Sequence, residues 1–554
     1  MKEIIINLLS KEVKLEKKEI LKLIEIPPSS DLGDYSFPCF ILAKQLKKNP
    51  SEIASELSKK LKTSKDIEKI IATGSYLNFF INKKSFGEIT IKEILKERKK
   101  EKKKGKTLVE FLGPNTNKPL HLGHLRNMSI GESVSRILEF SGDNVKKVNL
   151  YNDRGIHITK SMLAYKKFGK SKKPNKKPDH FVGDFYILYG KELEKNPEME
   201  NENKDLLKKW EEEDKETLAI WKKMNKWVIK GIKETYKKFG IKFDKEYYES
   251  KIYKKAKEII QDGIKKGLFK KRKDNAVIIN LGKELGEKVL LRADNTSVYI
   301  TQDMYLAKLR YQDYKFDRLI YIVGNEQDYH FKVLFKILNL LNYPFSKHLQ
   351  HLSYGMVTLP EGKMKSREGT IVDADNLIEK VQNLVKKEIE KREKLSKKEI
   401  EFRSLKISLA AIKYFLLKVD YSKEILFNPE ESINFEGNTG PYLQYSYARA
   451  NSILKKSKIK KPALNIINLT EQENKLIKKL SQFQEAVESA YSHLNPSLTA
   501  NYSFELAQIF NEFYHTCPVI NSEQENFRLN LVQAFKKIIK QSLYLLGIDV
   551  LGEM

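Results

Sequence analysis

The chain has 554 residues, and its 103 lysines and arginines against 73 aspartates and glutamates give a formal net charge of +30. That length predicts several domains, about three to five at usual sizes, and the charge favours a polyanion, nucleic acid or an anionic membrane, although lysine is abundant throughout and the sign informs more than the size. No run of about 18 apolar residues occurs and the opening MKEIIINLLSKEVK is too short for a signal peptide, which excludes a membrane helix and predicts a cytoplasmic protein; two cysteines, Cys39 and Cys517, exclude a disulfide framework and a cysteine zinc site.

In chain order, residues 1 to about 95 alternate helical patterns with a strand signal at Tyr76-Leu-Asn-Phe-Phe-Ile81, which predicts a small N-terminal α/β domain spanning 1–100. The run KERKKEKKKGK, Lys96 to Lys106, reads as a solvated linker. Next come an apolar strand, TLVEFLG (Thr107 to Gly113), and the segment KPLHLGHLR (Lys118 to Arg126). A helix follows from about His124 to Phe140 with Leu125, Met128, Val134, Ile137 and Leu138 on one face, and then a second strand, Val148-Asn-Leu-Tyr151. Strand, loop, helix, strand is a βαβ unit, with its ligand expected at the carboxyl ends of the strands.

Residues of about 165–250, with the loop GKSKKPNKKPDH and Trp210, Trp221 and Trp227, read as an insertion. Strand signals return at Ala276-Val-Ile-Ile279, Ser297-Val-Tyr-Ile300, Leu319-Ile-Tyr-Ile-Val323 and Tyr354-Gly-Met-Val357, so 105–375 is predicted to be a Rossmann-type doubly wound parallel sheet. Residues 380–554 are helical by period, with no convincing strand, and predict an all-α bundle of five to seven helices. The fold class is therefore multi-domain α/β.

Two histidines around a glycine in His121-Leu-Gly-His124 are compatible with a metal site, a nucleotide site or merely a polar helix start. Zinc needs a third protein ligand and, on a helix, usually a spacing of four with a glutamate between, so no metal is assigned. Phosphate fits better: Gly123 admits close approach, a helix start offers unpaired N–H groups, and imidazoles donate to oxygens whose charge grows in a transition state. Both the dinucleotide glycine fingerprint and the Walker loop are missing. A second basic loop, Glu361-Gly-Lys-Met-Lys-Ser-Arg-Glu-Gly369, follows the strand signal YGMV and places Lys363, Lys365 and Arg367 at another strand end.

HLGH and KMKSR together resemble the HIGH and KMSKS signatures of class I aminoacyl-tRNA synthetases. The flanks EFLGPNTNKPLHLGHLRN, NLYNDRGIHITK, SVYITQDMYLAKLRY and GNTGPYLQYSYARA are similar to arginyl-tRNA synthetases in particular, in order and over the whole chain. One departure stands out. Ser366 sits where the signature has its second lysine, and the resemblance implies that Lys118 compensates, with Lys365 as the other candidate.

The resemblance implies ATP-dependent activation of L-arginine and transfer to tRNA(Arg), with Mg²⁺ on the phosphates, arginine activation that needs bound tRNA, and a monomer. It implies catalytic roles for Lys118, His121, His124 and Lys363, and ATP contacts at Pro114, His121, Gly123, His124, Met356, Val357 and Lys363. It places Glu110, Asn115, Tyr299, Asp303 and Gln327 around arginine. A guanidinium calls for carboxylates that match its fork of donors, Asp303 first and Glu110 second; Asn115 and Gln327 are expected at the α-amino and carboxylate end. Tyr76 and Asn78 are expected at the D-loop of the tRNA, and Tyr442, Tyr445, Tyr514 and Met554 at the anticodon, where aromatic rings stack on splayed bases. Read without the family, Asp303 is equally a helix cap, Tyr299 a core strand residue, and Tyr442 and Tyr445 packing aromatics. The rivals are a cysteine- or glutamine-specific synthetase, disfavoured by the absent zinc set and the two carboxylates, and a noncatalytic RNA-binding relative, disfavoured by the intact HLGH and Lys363.

Overall fold

A computed structural model describes residues 2–97, 105–294, 296, 298–359, 372–392 and 394–554. The chain divides into two compact units. One comprises Met1–Arg98, Ala450–Phe483 and Leu506–Ile538; the other comprises Lys99–Arg449, Gln484–Glu505 and Ile539–Met554.

In the first unit, β1 (Tyr35–Pro38), β2 (Ile67–Thr73) and β3 (Tyr76–Ile81) form an antiparallel sheet in the order β1-β3-β2. Leu77, Phe79 and Ile81 of β3 are buried against Ile5, Leu9, Ile20, Phe37 and Ile53, all from helices and β1, so the alternation along β3 selects the face that closes the core. Helix Pro50–Lys60 starts where Asn49 caps Ser51 N and proline takes the first turn. Gly87 on helix Lys83–Leu95 would place a Cβ 2.9 Å from Ile466, a close approach that only glycine permits. Both Cys39 and Cys517 are buried free thiols.

The second unit is built on a five-stranded parallel sheet. Its strands are β4 (Lys106–Glu110), β5 (Asn144–Tyr151) and β6 (Lys245–Tyr248), with β10 (Arg318–Gly324) and β11 (Leu349–Tyr354) after an antiparallel excursion. The order β11-β10-β4-β5-β6 reverses at β4, which is the switch point of a doubly wound sheet. Strand β6 lies inside the stretch expected to be insertion, yet it forms the sheet edge. Short and rich in lysine and tyrosine, KEYY gives no apolar alternation to betray it.

Three strand expectations are corrected. Val277–Asn280 is β8 of a separate antiparallel sheet with β7 (Lys270–Lys271) and β9 (Glu287–Leu291). Tyr299 opens a helix, Tyr299–Tyr314, instead of lying in a strand, and Ser297 is outside the described residues. Beyond β11, the pair Val357–Thr358 (β12) leaves the main sheet to pair with Ile425–Leu426 (β13), a strand in the region expected to be wholly helical. From Ala374 onward the described residues form eight helices: Ala374–Arg392, Lys397–Leu417, Pro429–Ser432, Gly440–Lys456, Glu471–Ser481, Phe483–His493, Pro496–Thr516 and Glu525–Leu545.

Helix Leu122–Phe140 runs through the core of this unit. Its apolar positions are buried as the periodicity requires, but so are Asn127, Ser129, Glu132, Ser133 and Ser135. Ser129 and Ser135 settle their hydroxyls on carbonyls one turn back, at 2.7 Å each. Gly131 faces Phe111, and a Cβ there would stand 2.3 Å from the ring. Alanine normally stabilises a helix interior by about 1 kcal/mol over glycine, whereas here the overpacked Gly131→Ala variant is expected to lose about 1–3 kcal/mol. Urea unfolding of the two proteins measures the sign directly.

Candidate active site

The site gathers at the carboxyl ends of β4, β10 and β11. Just past β4 the chain turns through two positive-φ residues, Leu112 at 84° and Gly113 at 53°. A leucine held there costs about 1–3 kcal/mol and needs support from its surroundings. The buried Asn127 side chain accepts from Leu112 N, and Asn149 accepts from Gly113 N at 3.0 Å. Asn127 also donates to Ile322 O at 2.7 Å and to the Tyr354 hydroxyl at 3.2 Å, so one amide ties together three strand ends.

His121 and His124 form the start of helix Leu122–Phe140. The Gly123 peptide N–H donates to His121 Nδ1 at 3.1 Å, and the His121 peptide N–H donates to His124 Nδ1 at 3.1 Å. This is a reciprocal capping box, whose spacing of three is that of HLGH. A peptide nitrogen only donates, so both Nδ1 atoms are acceptors and both rings carry their proton on Nε2. Burial, with the charge of Lys118, pushes His121 down to about 3; burial, His121 and Lys118 hold His124 well below the usual range. Both rings are therefore neutral Nε2–H donors at pH 7. Lys118 is itself lowered by burial.

The unpaired N–H groups expected at this helix start are not what the structure shows. Leu122 N donates to Val372 O at 3.3 Å and Gly123 N to His121, leaving the imidazoles as the open donors. Gly123 is glycine because the capping ring folds over it: a Cβ would meet His121 Cε1 at 3.0 Å.

Arg126 and Asn127, in the helix that HLGH opens, carry structural weight that their sequence did not signal. Arg126 is fully buried and donates to the carbonyls of Met356 at 2.8 Å, Tyr421 at 3.0 Å and Lys423 at 2.6 Å. Its burial pulls it down to about 10, with Tyr354, Glu424 and Asp420 opposing. Met356 O accepts from Ile425 N as well, at 3.0 Å, so this carbonyl is saturated and the backbone of Met356 and Val357 meets a ligand only through its other groups. Val357, next in sequence, is buried, as is Pro114 just past β4, and Asn115 is exposed in a bridge with Asn152.

Asp303 sits inside helix Tyr299–Tyr314, one turn after Tyr299, and the cap position falls to Val298. Tyr299 is 67% exposed, which removes the core-strand alternative. His330 Nε2 meets Asp303 Oδ2 at 2.7 Å; burial opposes, but the hydrogen bond and charge of Asp303 hold His330 above its ordinary value. Gln327 is exposed in the single turn Asn325–Gln327 after β10. Glu110 behaves differently from the expected guanidinium ligand: its carboxylate is bonded to Arg310, whose side chain is fully buried.

A carboxylate that sequence reasoning missed is Glu249, buried where β6 ends. Arg154 Nη1 is 3.6 Å away, and Gln302, with its amide turned to suit its partners, donates to Glu249 at 2.7 Å. Burial pushes Glu249 up to about 7, against the charge of Arg154 and with those of Asp153 and Asp303. Glu249 and Asp303 are thus two carboxylates sharing one electrostatic environment. The only signal in the sequence was a glutamate in a tyrosine-rich run, indistinguishable from a surface residue.

Other expected residues belong to other elements. Tyr76 is exposed on β3 edge-on to Phe40, and Asn78 is buried in the same strand. Tyr442 tilts against Phe504, Tyr445 accepts from Arg449 at 3.2 Å, Tyr514 is exposed on helix Pro496–Thr516, and Met554 packs beside Val385, Ile389, Ile407 and Leu551. Lys363, Lys365, Ser366 and Arg367 are outside the described residues.

Three family models match the chain: the class I (R) tRNA synthetase catalytic domain over residues 88–428, the DALR anticodon binding domain over 443–554, and the arginyl tRNA synthetase N terminal domain over 1–81. The arginine–tRNA ligase of Treponema denticola is 46% identical, covering 96% of this chain and 94% of that protein. That of Borrelia hermsii is 45% identical, covering 99% and 98%. Among solved structures, the arginyl-tRNA synthetase of Thermus thermophilus gives a TM-score of 0.83 at 26% identity, covering 100% of this chain and 99% of that one. The Plasmodium falciparum enzyme, at 22% identity and TM-score 0.75 over 96% and 94%, shares the fold.

Proposed function

Because the chain belongs to the arginyl-tRNA synthetase family and is an arginine–tRNA ligase of class I, acting in protein synthesis with ATP, arginine and tRNA(Arg), we propose how its own residues divide the work. In activation the arginine carboxylate attacks the α-phosphorus of ATP and pyrophosphate leaves. In transfer a hydroxyl of the 3′-terminal adenosine attacks the arginyl carbonyl and AMP leaves. A carboxylate is already a nucleophile at pH 7, so the first step needs positioning and charge stabilisation more than a base.

The Nε2–H groups of His121 and His124 donate to the α-phosphate and the leaving oxygens, and Lys118, with Lys363 from the second signature, balances the departing charge. What supports this is the capping box, which fixes both tautomers before substrate arrives. Pro114, Gly123, Met356 and Val357 border the adenosine. Mg²⁺ prefers hard oxygen ligands; Lys118 and two imidazoles are no such set, so the ion fits here as MgATP, carried by the phosphates.

Asp303 and Glu249 receive the guanidinium, with Tyr299 beside it, while Asn115 and Gln327 hold the α-amino and carboxylate end, and Glu110, braced by Arg310, faces the α-ammonium. The 1–100 domain meets the D-loop through the exposed Tyr76, with Asn78 buried beside it in β3, 105–375 is catalytic, and 380–554 reads the anticodon through Tyr442, Tyr445, Tyr514 and Met554. The protein is cytoplasmic and monomeric. No described helix is long and apolar enough to cross a membrane. Pyrophosphate exchange with each amino acid, with and without tRNA, is the test: exchange with arginine alone, and only with tRNA, is expected, and exchange with lysine or glutamine would refute the guanidinium assignment.

Glu249 adds a pH signature. Its carboxyl titrates at about 7, above its ordinary value, so it is protonated below that pH and ionised above. A guanidinium binds the ionised form, which makes KM for arginine fall as pH rises through about 7, with a proton released on binding below that pH and none well above it. In Glu249→Gln the dependence should be flat; an unchanged slope would move the titration to another group.

A further inference from the structure

We propose that Asp375 is a positioning residue for activation, locked by Lys177, His180 and Thr235 so that the chain leaving the second signature is held in register with HLGH. The backbone makes the connection. Ala374 N donates to Leu120 O at 2.8 Å and Leu122 N to Val372 O at 3.3 Å, so residues 372–374, directly after the second signature loop, pair with the residues that flank His121. Helix Ala374–Arg392 then begins, its start capped where Asp373 accepts from Asn376 N at 2.8 Å.

Asp375 is where this junction meets the insertion. Lys177 Nζ donates to Asp375 at 2.9 Å, to Asp179 at 2.7 Å and to Thr235 at 2.7 Å, which uses all three ammonium protons. The Thr235 hydroxyl donates to Asp375 at 3.0 Å and His180 Nε2 approaches it at 3.1 Å, with Asp373 at 3.8 Å. Asp179, His180 and Asp375 have the spacing of a cation site, ligand atoms within 4.8 Å of one another, but Lys177 is the cation bonded there. Against the cost of burial, His180 and Lys177 hold Asp375 down at about 2.

Two glycines show that the cluster is built to stay close to HLGH. A Cβ at Gly231 would stand 2.2 Å from Asp179, so helix Lys215–Lys238 leaves room for that carboxylate. On helix Pro178–Lys195, which carries Asp179 and His180, a Cβ at Gly183 would stand 2.8 Å from Pro119 and 3.7 Å from the Lys118 Cα. The same helix therefore braces the head of HLGH and clamps the exit of the second signature. A buried ionic group of this kind gains little over apolar packing, and its use is register.

The inference rests on phosphate chemistry at HLGH; pyrophosphate exchange by the unaltered protein tests that separately. Asp375→Asn and Lys177→Met are expected to lower kcat for exchange about tenfold and raise KM for ATP several-fold while KM for arginine stays put. Because the two act as one unit, the double variant is expected to lose no more than either. Full kcat and KM for ATP in a folded Asp375→Asn, equal rises in both KM values, or losses that multiply in the double variant would overturn the proposal. Should Asp375→Asn fail to fold, Thr235→Val, which deletes one hydroxyl of the cluster, must show the same split for the proposal to stand.

Discussion

Asp303→Asn is expected to lower kcat/KM for arginine by about 10²- to 10³-fold, the effect of about 3–4 kcal/mol, while KM for ATP moves about twofold or less. The size follows from the chemistry of the ligand. A guanidinium offers paired N–H donors that a carboxylate accepts bidentately, and an amide presents one acceptor and a competing donor in the same place. In the protein the Asp303 carboxylate already has a polar partner, His330 at 2.7 Å, which aims it, and a second carboxylate, Glu249, in its field. Neutralising Asp303 therefore removes a charge whose surroundings are arranged for a cation. Steady-state exchange kinetics with arginine and ATP varied in turn decide the matter: equal losses toward both substrates would make Asp303 a scaffold residue, paired with His330 for stability.

For His124→Ala the expected loss is in kcat, about 10²- to 10³-fold, as for removal of a single oxyanion donor, with both KM values near those of the unaltered protein. One complication is built into the fold, because His124 Nδ1 also caps the His121 N–H, and loss of a cap costs about 1 kcal/mol. His124→Gln separates the two roles. Glutamine at this position of a capping box supplies the acceptor but does not place a donor where the imidazole Nε2 stood. Melting temperature should recover in His124→Gln and kcat should not. If kcat returns with the cap, the histidine serves the helix and not the phosphate.

How much of this was legible beforehand differs from one residue to the next. HLGH was visible as a site, and its histidines were compatible with a metal site, a nucleotide site or merely a polar helix start. The spacing turned out to be that of a cap, and the cap is what settles which nitrogen donates. Helix Tyr299–Tyr314 was half legible: Asp303 was read as a candidate helix cap, while the apolar run before it suggested a strand. Glu249 was illegible, since nothing within YYESKIY distinguishes a buried carboxylate from a surface one.

What the sequence by itself determined was local. The period of apolar residues marked helix Leu122–Phe140 and strands β3, β4, β5 and β10, because burial of one face leaves its spacing in the chain. What only the tertiary structure decided was partnership. Val277–Asn280 left the main sheet for an antiparallel one, β6 joined its edge, Arg310 took up Glu110, and Arg126 reached across to Met356, Tyr421 and Lys423. Hydropathy records that a residue is buried but carries no address for the group it meets, and a buried charge or peptide must be satisfied by whichever partner the fold brings within about 3 Å.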